Sequence, residues 1–290
     1  MRTEKEMMAL ILNIARDDER IRAAYMQGSR TNPNVPKDIL QDYDVVYVVT
    51  ETAPFINDRD WIKKFGEILF MQYPDEFPEP SADRENSYGW LMIFTDGNRI
   101  DLTIKSLAYA KEDVQSDSLT RILLDKDGSL PEIPESSDSS YYVKRPTNAK
   151  FTGTCNEFWW CLNNIAKGLW RKEPTYVQGM MNSVVRKQLE TMLGWKAGVL
   201  TNFSASAGKA GKYLYRFLTE DEWQRYLDTF SSAGIPELWE AVETMCALFF
   251  EESRWVADEL GFTLNEQEAR NSLLYLHRIK ELPEDAEGIF

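Results

Sequence analysis

The residues whose types and spacing carry the clearest chemistry lie between positions 26 and 49: Gly28 and Ser29, then, thirteen residues after Ser29, Asp42 and Asp44. A glycine lets the backbone approach a phosphate closely, and a following serine offers a hydroxyl and an N–H to phosphate oxygens. Asp42 and Asp44 are two apart in a run that reads as a strand, so both carboxylates leave one face, their backbone positions about 7 Å apart. Two like charges at that spacing repel unless a cation neutralises them. Hard oxygen ligands on a rigid strand suit Mg²⁺, which takes one or two carboxylates and completes its shell with water and substrate phosphates. A third acid, Asp101, falls in the middle of a later strand candidate, and three such acids can hold a pair of ions across a reacting phosphate. Each piece alone is commonplace, a Gly-Ser turn or an exposed Asp-x-Asp strand end. In this order and spacing they point to metal-dependent phosphate chemistry.

The elements that must position these residues can be read in order. Thr3 with Glu6 forms a capping box, and Met7, Leu10, Ile11 and Ile14 then fall on one face of a first helix. Residues 21–27 make a short strand, Gly28-Ser29-Arg30 leaves it, and residues 33–36 are loop. The β-branched run 39–50 predicts a strand buried along most of its length. Residues 61–70 have helical spacing, ended by the prolines of residues 73–80. Two runs, 89–94 and 99–104, flank Thr95-Asp96-Gly97-Asn98, and Asp-Gly is a signal for a type I′ hairpin turn. Asp101 shares a face with Arg99 and Thr103. A weaker strand follows at 119–124.

From 131 to 146 the composition shifts to Pro, Ser, Asp and Glu, which marks a boundary, and beyond it the period becomes helical. Thr154 with Glu157 reads as a capping box. A helix opened by Pro174 is expected to stop at Gly194, Thr219 with Glu222 caps another, Pro236 opens the longest, ended by Gly261, and Asn265 with Glu268 starts the last. The expectation is an N-terminal α/β half, residues 1–146, and a C-terminal helical half, residues 147–290, with no internal repeat.

The totals narrow the function. The chain has 290 residues, 43% of them hydrophobic, enough for a sizeable core. Its net charge of -14 argues against nucleic acid as the principal partner, because that affinity comes from clustered Lys and Arg. A cationic partner fits better, although acidity also serves solubility alone. Cys155, Cys161 and Cys246 form neither a disulfide framework nor a zinc pattern and are expected as reduced core thiols in the cytosol. Glu4, Lys5 and Glu6 argue against a signal peptide, and no apolar run approaches the roughly 20 residues of a membrane helix. With His277 the single histidine, expected on a surface or at a helix end, triads and His-based metal sites are nearly excluded.

Gly-Ser, Asp-x-Asp and a later strand Asp together match the signature of the nucleotidyltransferase superfamily. More closely, Met26-Gln-Gly-Ser-Arg30, Gln41-Asp-Tyr-Asp44, Arg99-Ile-Asp-Leu-Thr103, Cys155-Asn-Glu-Phe-Trp159 and Gly208-Lys-Ala-Gly-Lys212 resemble the aminoglycoside 6-adenylyltransferases, the streptomycin adenylyltransferases, over nearly the whole chain. The resemblance implies an α+β fold: a mixed β-sheet nucleotidyltransferase domain followed by an α-helical bundle that closes over the acceptor. It implies Mg-ATP as donor and a hydroxyl of a cationic aminoglycoside, the 6-hydroxyl of streptomycin, as acceptor. Asp42 and Asp44 would then be metal ligands, and Asp101 either a further ligand or the general base.

Residues 206–212 are not a Walker A loop, since Tyr213 follows the second lysine. Small residues leading into a helix, with Lys209 and Lys212, could still hold the β- and γ-phosphates; the plain alternative is a solvated basic helix start. Arg30 could touch the triphosphate or pair with a nearby carboxylate. Trp159, Trp160, Trp170 and Trp195 are expected in the core, with one or two able to stack on an acceptor ring. Glu157 is a cap first and an acceptor contact second, and the acids of the helical half, Glu251 and Glu252 among them, are expected mostly on solvated faces, although a cleft holding some of them would attract a guanidinium-bearing substrate. The expected protein is a cytoplasmic monomer. Its rivals are a nucleotidyltransferase acting on another small molecule or on RNA, and a binding module that has kept the fold without catalysis.

Overall fold

Thr3 and Glu6 cap the first helix reciprocally: Glu6 N–H donates to Thr3 Oγ1 at 3.3 Å and Thr3 N–H to Glu6 Oε2 at 2.8 Å. The resulting α1 (Glu4–Asp17) buries Met7, Ile11 and Ala15. The structure, a computed structural model, describes residues 1–77 and 82–290, and the chain forms two compact units, Met1–Ser140 and Tyr141–Phe290.

After α1 the first unit continues with β1 (Ile21–Gln27), β2 (Tyr43–Val49), α2 (Ala53–Asn57), β3 (Ile68–Gln72), β4 (Ser87–Phe94), β5 (Arg99–Ser106), α3 (Leu107–Ser116) and β6 (Thr120–Asp125). The six strands form one mixed sheet in the order β3-β4-β5-β2-β1-β6, antiparallel throughout except for β2 against β5. On one face Tyr43, Val45, Tyr47 and Val49 of β2 pack with Met7, Ile11 and Ala15 of α1. On the other, Val46 and Val48 pack with Ala110 and Val114 of α3. A strand buried on both faces needs apolar residues at every position, which accounts for the β-branched run. Tyr25 Oη donates to Asp113 Oδ2 at 2.6 Å and Lys105 pairs with the same carboxylate, tying α3 to the sheet.

The first half departs from expectation at three places. The strand expected at 39–50 begins only at Tyr43, and Ile39 and Leu40 are 72% and 85% exposed. Asp38 accepts the Leu40 N–H at 2.7 Å and holds a turn there instead. The helix expected at 61–70 is a single 3₁₀ stretch, Trp61–Phe65, followed by β3. That stretch already buries Trp61, Ile62 and Phe65, Gly66 at φ +132° breaks it, and pairing with β4 draws the rest into the sheet. The hairpin between β4 and β5 forms, but among its four loop residues only Gly97 takes positive φ, so the turn is not the two-residue type I′. The proline-rich break placed over residues 73–80 falls partly outside the described residues.

The second unit comprises α4 (Asn148–Trp170), α5 (Pro174–Met180), α6 (Arg186–Leu200), α7 (Glu220–Asp228), α8 (Ile235–Leu260) and α9 (Glu266–Lys280). Sheet unit and helical unit together make the α+β fold. In the helical core Phe158 and Phe249 stack with centroids 3.7 Å apart and Trp159 set edge-on. Such pairs contribute about 0.5–1.5 kcal/mol beyond their area. Thr219 and Glu222 cap α7, Asn265 caps α9, and Gly261 at φ +69° ends α8.

Thr154 and Glu157 do not open a helix. Thr147 accepts the Lys150 N–H and starts α4 earlier, leaving Thr154 buried within it and Glu157 on its exposed side. Gly194 stops nothing either. A π turn, Met181–Val185, joins α5 to α6, and α6 runs on to Leu200 because Trp195 and Ala197 continue its buried face. Glu252 is not solvated: it is buried against Lys196 Nζ at 2.9 Å, and Lys196 also holds Glu222 at 2.6 Å, so one cation ties α6, α7 and α8. Among the described residues no helix is long and apolar enough to cross a membrane.

Candidate active site

Strand register brings the acids together. Asp44 of β2 lies opposite Asp101 of β5 in the parallel ladder and opposite Gln27 of β1 on its other side. Asp42 immediately precedes β2, and alternation sets all three on the face that carries Val46 and Val48, beyond the apolar patch under α3. One carboxylate oxygen from each of Asp42, Asp44 and Asp101 lies within 4.8 Å of the other two.

Burial pushes the Asp44 carboxyl up to about 7, and the charges of Asp42 and Asp101 act in the same direction. Arg99 opposes this. Its Nε and Nη2 hold the two oxygens of Asp101 at 2.7 and 2.6 Å, and Nε lies 3.8 Å from Asp42, contacts that raise the pKa of Arg99 itself. Three acids with one partial counter-ion leave negative charge uncompensated, and all donors are hard oxygens. The set fits a divalent cation of the Mg²⁺ type better than a soft metal.

Gly28 adopts φ +74° and ψ −155°, a region essentially confined to glycine. A Cβ there would stand 2.1 Å from Asp44 Oδ2, so the missing side chain is what lets the turn and the carboxylate share the space. The turn is pinned to the residue preceding β6: Gly28 N–H donates to Leu119 O at 3.1 Å, and Thr31 Oγ1 reaches both Gly28 O and Leu119 O at 2.9 Å. Ser29 opens a single 3₁₀ turn, and its hydroxyl makes no hydrogen bond among the described residues. The Arg30 side chain is 8% exposed and lies 3.9 Å from the Glu4 carboxylate. Its guanidinium lies 3.7 Å from the centroid of the Tyr43 ring and donates to the carbonyls of Asp42 and Gln41 at 2.9 and 2.7 Å, strapping down the approach to β2.

Lys209 and Lys212 belong to the second unit, on a 3₁₀ turn, Lys209–Gly211, where Gly208, Ala210 and Gly211 all take positive φ. No α-helix begins there, contrary to expectation, because such a succession of positive φ values cannot propagate a right-handed helix; the next, α7, starts at Glu220. Both lysines are exposed. Two residues gain importance from the structure. Arg99 was visible in sequence only as a face-mate of Asp101, and Trp160 stands 69% exposed where a core position was expected.

The profile of the streptomycin adenylyltransferase family matches residues 1–279. Aminoglycoside 6-adenylyltransferases of Campylobacter jejuni and Bacillus subtilis (strain 168) are 38% and 36% identical over 262 and 263 residues, covering 90% of this chain and 91% and 93% of their own. The crystal structure of an aminoglycoside 6-adenyltransferase from Bacillus subtilis aligns with 97% of this chain and 100% of that one, at 30% identity and TM-score 0.48. On the strength of the near-complete profile match and of relatives above 30% identity, this chain is an enzyme of the streptomycin adenylyltransferase family.

Proposed function

We propose that this chain transfers AMP from Mg-ATP to a hydroxyl of a cationic aminoglycoside, releasing pyrophosphate, with streptomycin as acceptor and its 6-hydroxyl as the site. The observation that carries this reading is the cluster of Asp42, Asp44 and Asp101 beside the Gly28-Ser29 turn. In this scheme residues 1–146 bind metal and nucleotide, residues 147–290 bind the acceptor, and the enzyme works as a cytoplasmic monomer. The net charge of -14 favours a cationic small molecule over RNA.

Asp42 and Asp44 would hold the Mg²⁺, which when bound offsets charge on the triphosphate and on the oxygens around the α-phosphorus. Gly28 keeps the turn low enough for a phosphate to approach, the free Ser29 hydroxyl donates to a phosphate oxygen, and Arg30 fixes the backbone that presents Asp42. Lys209 and Lys212 supply positive charge for the β- and γ-phosphates. Asp101, held in place by the Arg99 fork, accepts the proton of the acceptor hydroxyl as that oxygen bonds to the α-phosphorus. The bond from the α-phosphorus to the α,β-bridging oxygen breaks, and pyrophosphate leaves in line.

The test is pyrophosphate release from Mg-ATP over a panel of aminoglycosides, with mass spectrometry of the acceptor. AMP on streptomycin is the expected product. Silence with every aminoglycoside would sink the proposal.

A further inference from the structure

Within the second unit, α4 and the start of α9 border a cleft of about 580 Å³, a size suited to one small molecule. Its lining includes Trp160, Asn163, Gln267, Glu268, Asn271 and Tyr275, with one carboxylate and no cationic side chain. Trp160 is 69% exposed although its neighbours Phe158, Trp159 and Leu162 are buried, so α4 presents its largest side chain to the opening. Around it stand groups that both donate and accept. Hydrogen bonds orient several of them: within the lining, Gln267 Nε2 donates to Asn271 Oδ1 at 2.8 Å and Asn163 Nδ2 to Trp160 O at 2.5 Å, and from outside it Asn156 Nδ2 donates to Glu268 Oε1. These leave Asn163 Oδ1 and Asn271 Nδ2, one acceptor and one donor, without a partner among the described residues. Trp159 lines the same cleft, and its buried indole N–H has no acceptor among the described residues, which is unfavourable until one reaches it.

An open indole face, a carboxylate and a set of carboxamides together suit one ligand chemistry. The indole takes the apolar face of a saturated ring or a cation, the carboxylate pairs with that cation, and the carboxamides bond to hydroxyls in either sense. We propose that this cleft is the acceptor site, holding a polyhydroxylated ring that carries an ammonium or guanidinium group, with Trp160 against the ring and its cation and Glu268 as counter-charge. This rests on the reading of the chain as an aminoglycoside adenylyltransferase and adds where the acceptor is held.

The test is calorimetric titration of the full chain with streptomycin, alongside steady-state kinetics, for the parent, Trp160→Ala, Trp160→Phe and Glu268→Gln. Because Trp160 is exposed, Trp160→Ala should melt with the parent. It should weaken streptomycin binding about 10-fold or more, with Trp160→Phe retaining most of the affinity and Glu268→Gln losing about 3- to 10-fold. KM for ATP should stay unchanged in all three. If the parent binds and adenylylates streptomycin while Trp160→Ala and Glu268→Gln do so equally well, the cleft is not the acceptor site and the AMP-transfer reading stands. If the parent modifies no aminoglycoside, that reading fails and the acceptor assignment falls with it.

Discussion

Gly28 and Asp44 occupy a single volume: a first side-chain carbon on Gly28 would lie 2.1 Å from Asp44 Oδ2, and the φ of +74° with ψ of −155° at Gly28 is one that other residues avoid. The glycine therefore sets the position of a site carboxylate as well as the course of the turn. Gly28→Ala adds backbone strain of about 1–3 kcal/mol and must push Asp44 aside. Pyrophosphate release should fall about 100-fold or more, since displacements near 1 Å at a reacting centre cost that much, while the circular dichroism spectrum is kept. Near-parental turnover in Gly28→Ala would show that Asp44 is not held where catalysis needs it.

Asp44 should make stability pH-dependent in the metal-free protein. Its folded pKa is raised from 3.8 to about 7. Between those values the folded state keeps a proton that the unfolded state releases, so stability falls as pH rises through the window and levels off above about 7. At 1.36 kcal/mol per unit, the effect is roughly 2–4 kcal/mol, reduced by partial exposure of the site. Asp44→Asn removes this slope, and above pH 7 without metal it should melt higher than the parent, while its turnover drops about 1,000-fold. If Asp44 is a Mg²⁺ ligand as proposed, the ion takes the ionised form, so its stabilising effect should grow as pH rises toward 7 and vanish in the variant. Melts from pH 4 to 8 with and without MgCl₂ decide it; an unchanged slope in Asp44→Asn would assign the titration elsewhere.

Arg99 reaches Asp42 as well as Asp101, so in the proposed scheme it shares the acid cluster with the cation. Its side chain is 43% exposed, so the ion pair adds at most about 1 kcal/mol to stability. Arg99→Met should therefore melt close to the parent. Freed of the fork, the acids should bind Mg²⁺ more tightly, while turnover falls about 10- to 100-fold as Asp101 loses its orientation and its counter-ion. Arg99→Lys, a point charge without the fork, should recover only part of the rate. Metal titration separates this from a purely structural role: unchanged Mg²⁺ affinity in Arg99→Met would mean that the arginine and the cation do not share the acids.

What could be read from sequence was mostly what neighbouring residues decide among themselves. Asp42 and Asp44 lie on one face because alternation is fixed at two residues, and Thr3 with Glu6 caps α1 through bonds spanning three. The same Thr-x-x-Glu pattern at Thr154 misled, because Thr147 had already capped the helix and nothing local records that. Residues 61–70 divided into a 3₁₀ stretch and β3 because β4, distant in sequence, offered an edge. The role of Arg99 depends on where Asp101 and Asp42 converge, which spacing shows only in part. Glu252 sits on a helix whose other carboxylates face water, and its burial depends on Lys196, 56 residues away in sequence.

That pair gives the last prediction. Glu252 is 3% exposed and Lys196 8%, with the Trp255 ring 5.2 Å from the ammonium. Lys196→Met would leave Glu252 buried without a counter-charge, a change that costs about 3–5 kcal/mol. Burial already raises the Glu252 pKa, and losing the lysine removes the group that opposes the rise. The carboxyl of the variant should therefore be protonated at mildly acid pH, so its deficit against the parent should shrink at pH 5 and widen at pH 8. Replacing both residues, Lys196→Met with Glu252→Leu, removes the stranded charge and should recover most of the loss, since a well-packed apolar pair can match a buried ion pair. Urea unfolding of the parent, single and double variants at the two pH values tests each step. A single variant as stable as the parent at pH 8 would mean that α6 and α8 are held by their apolar faces alone.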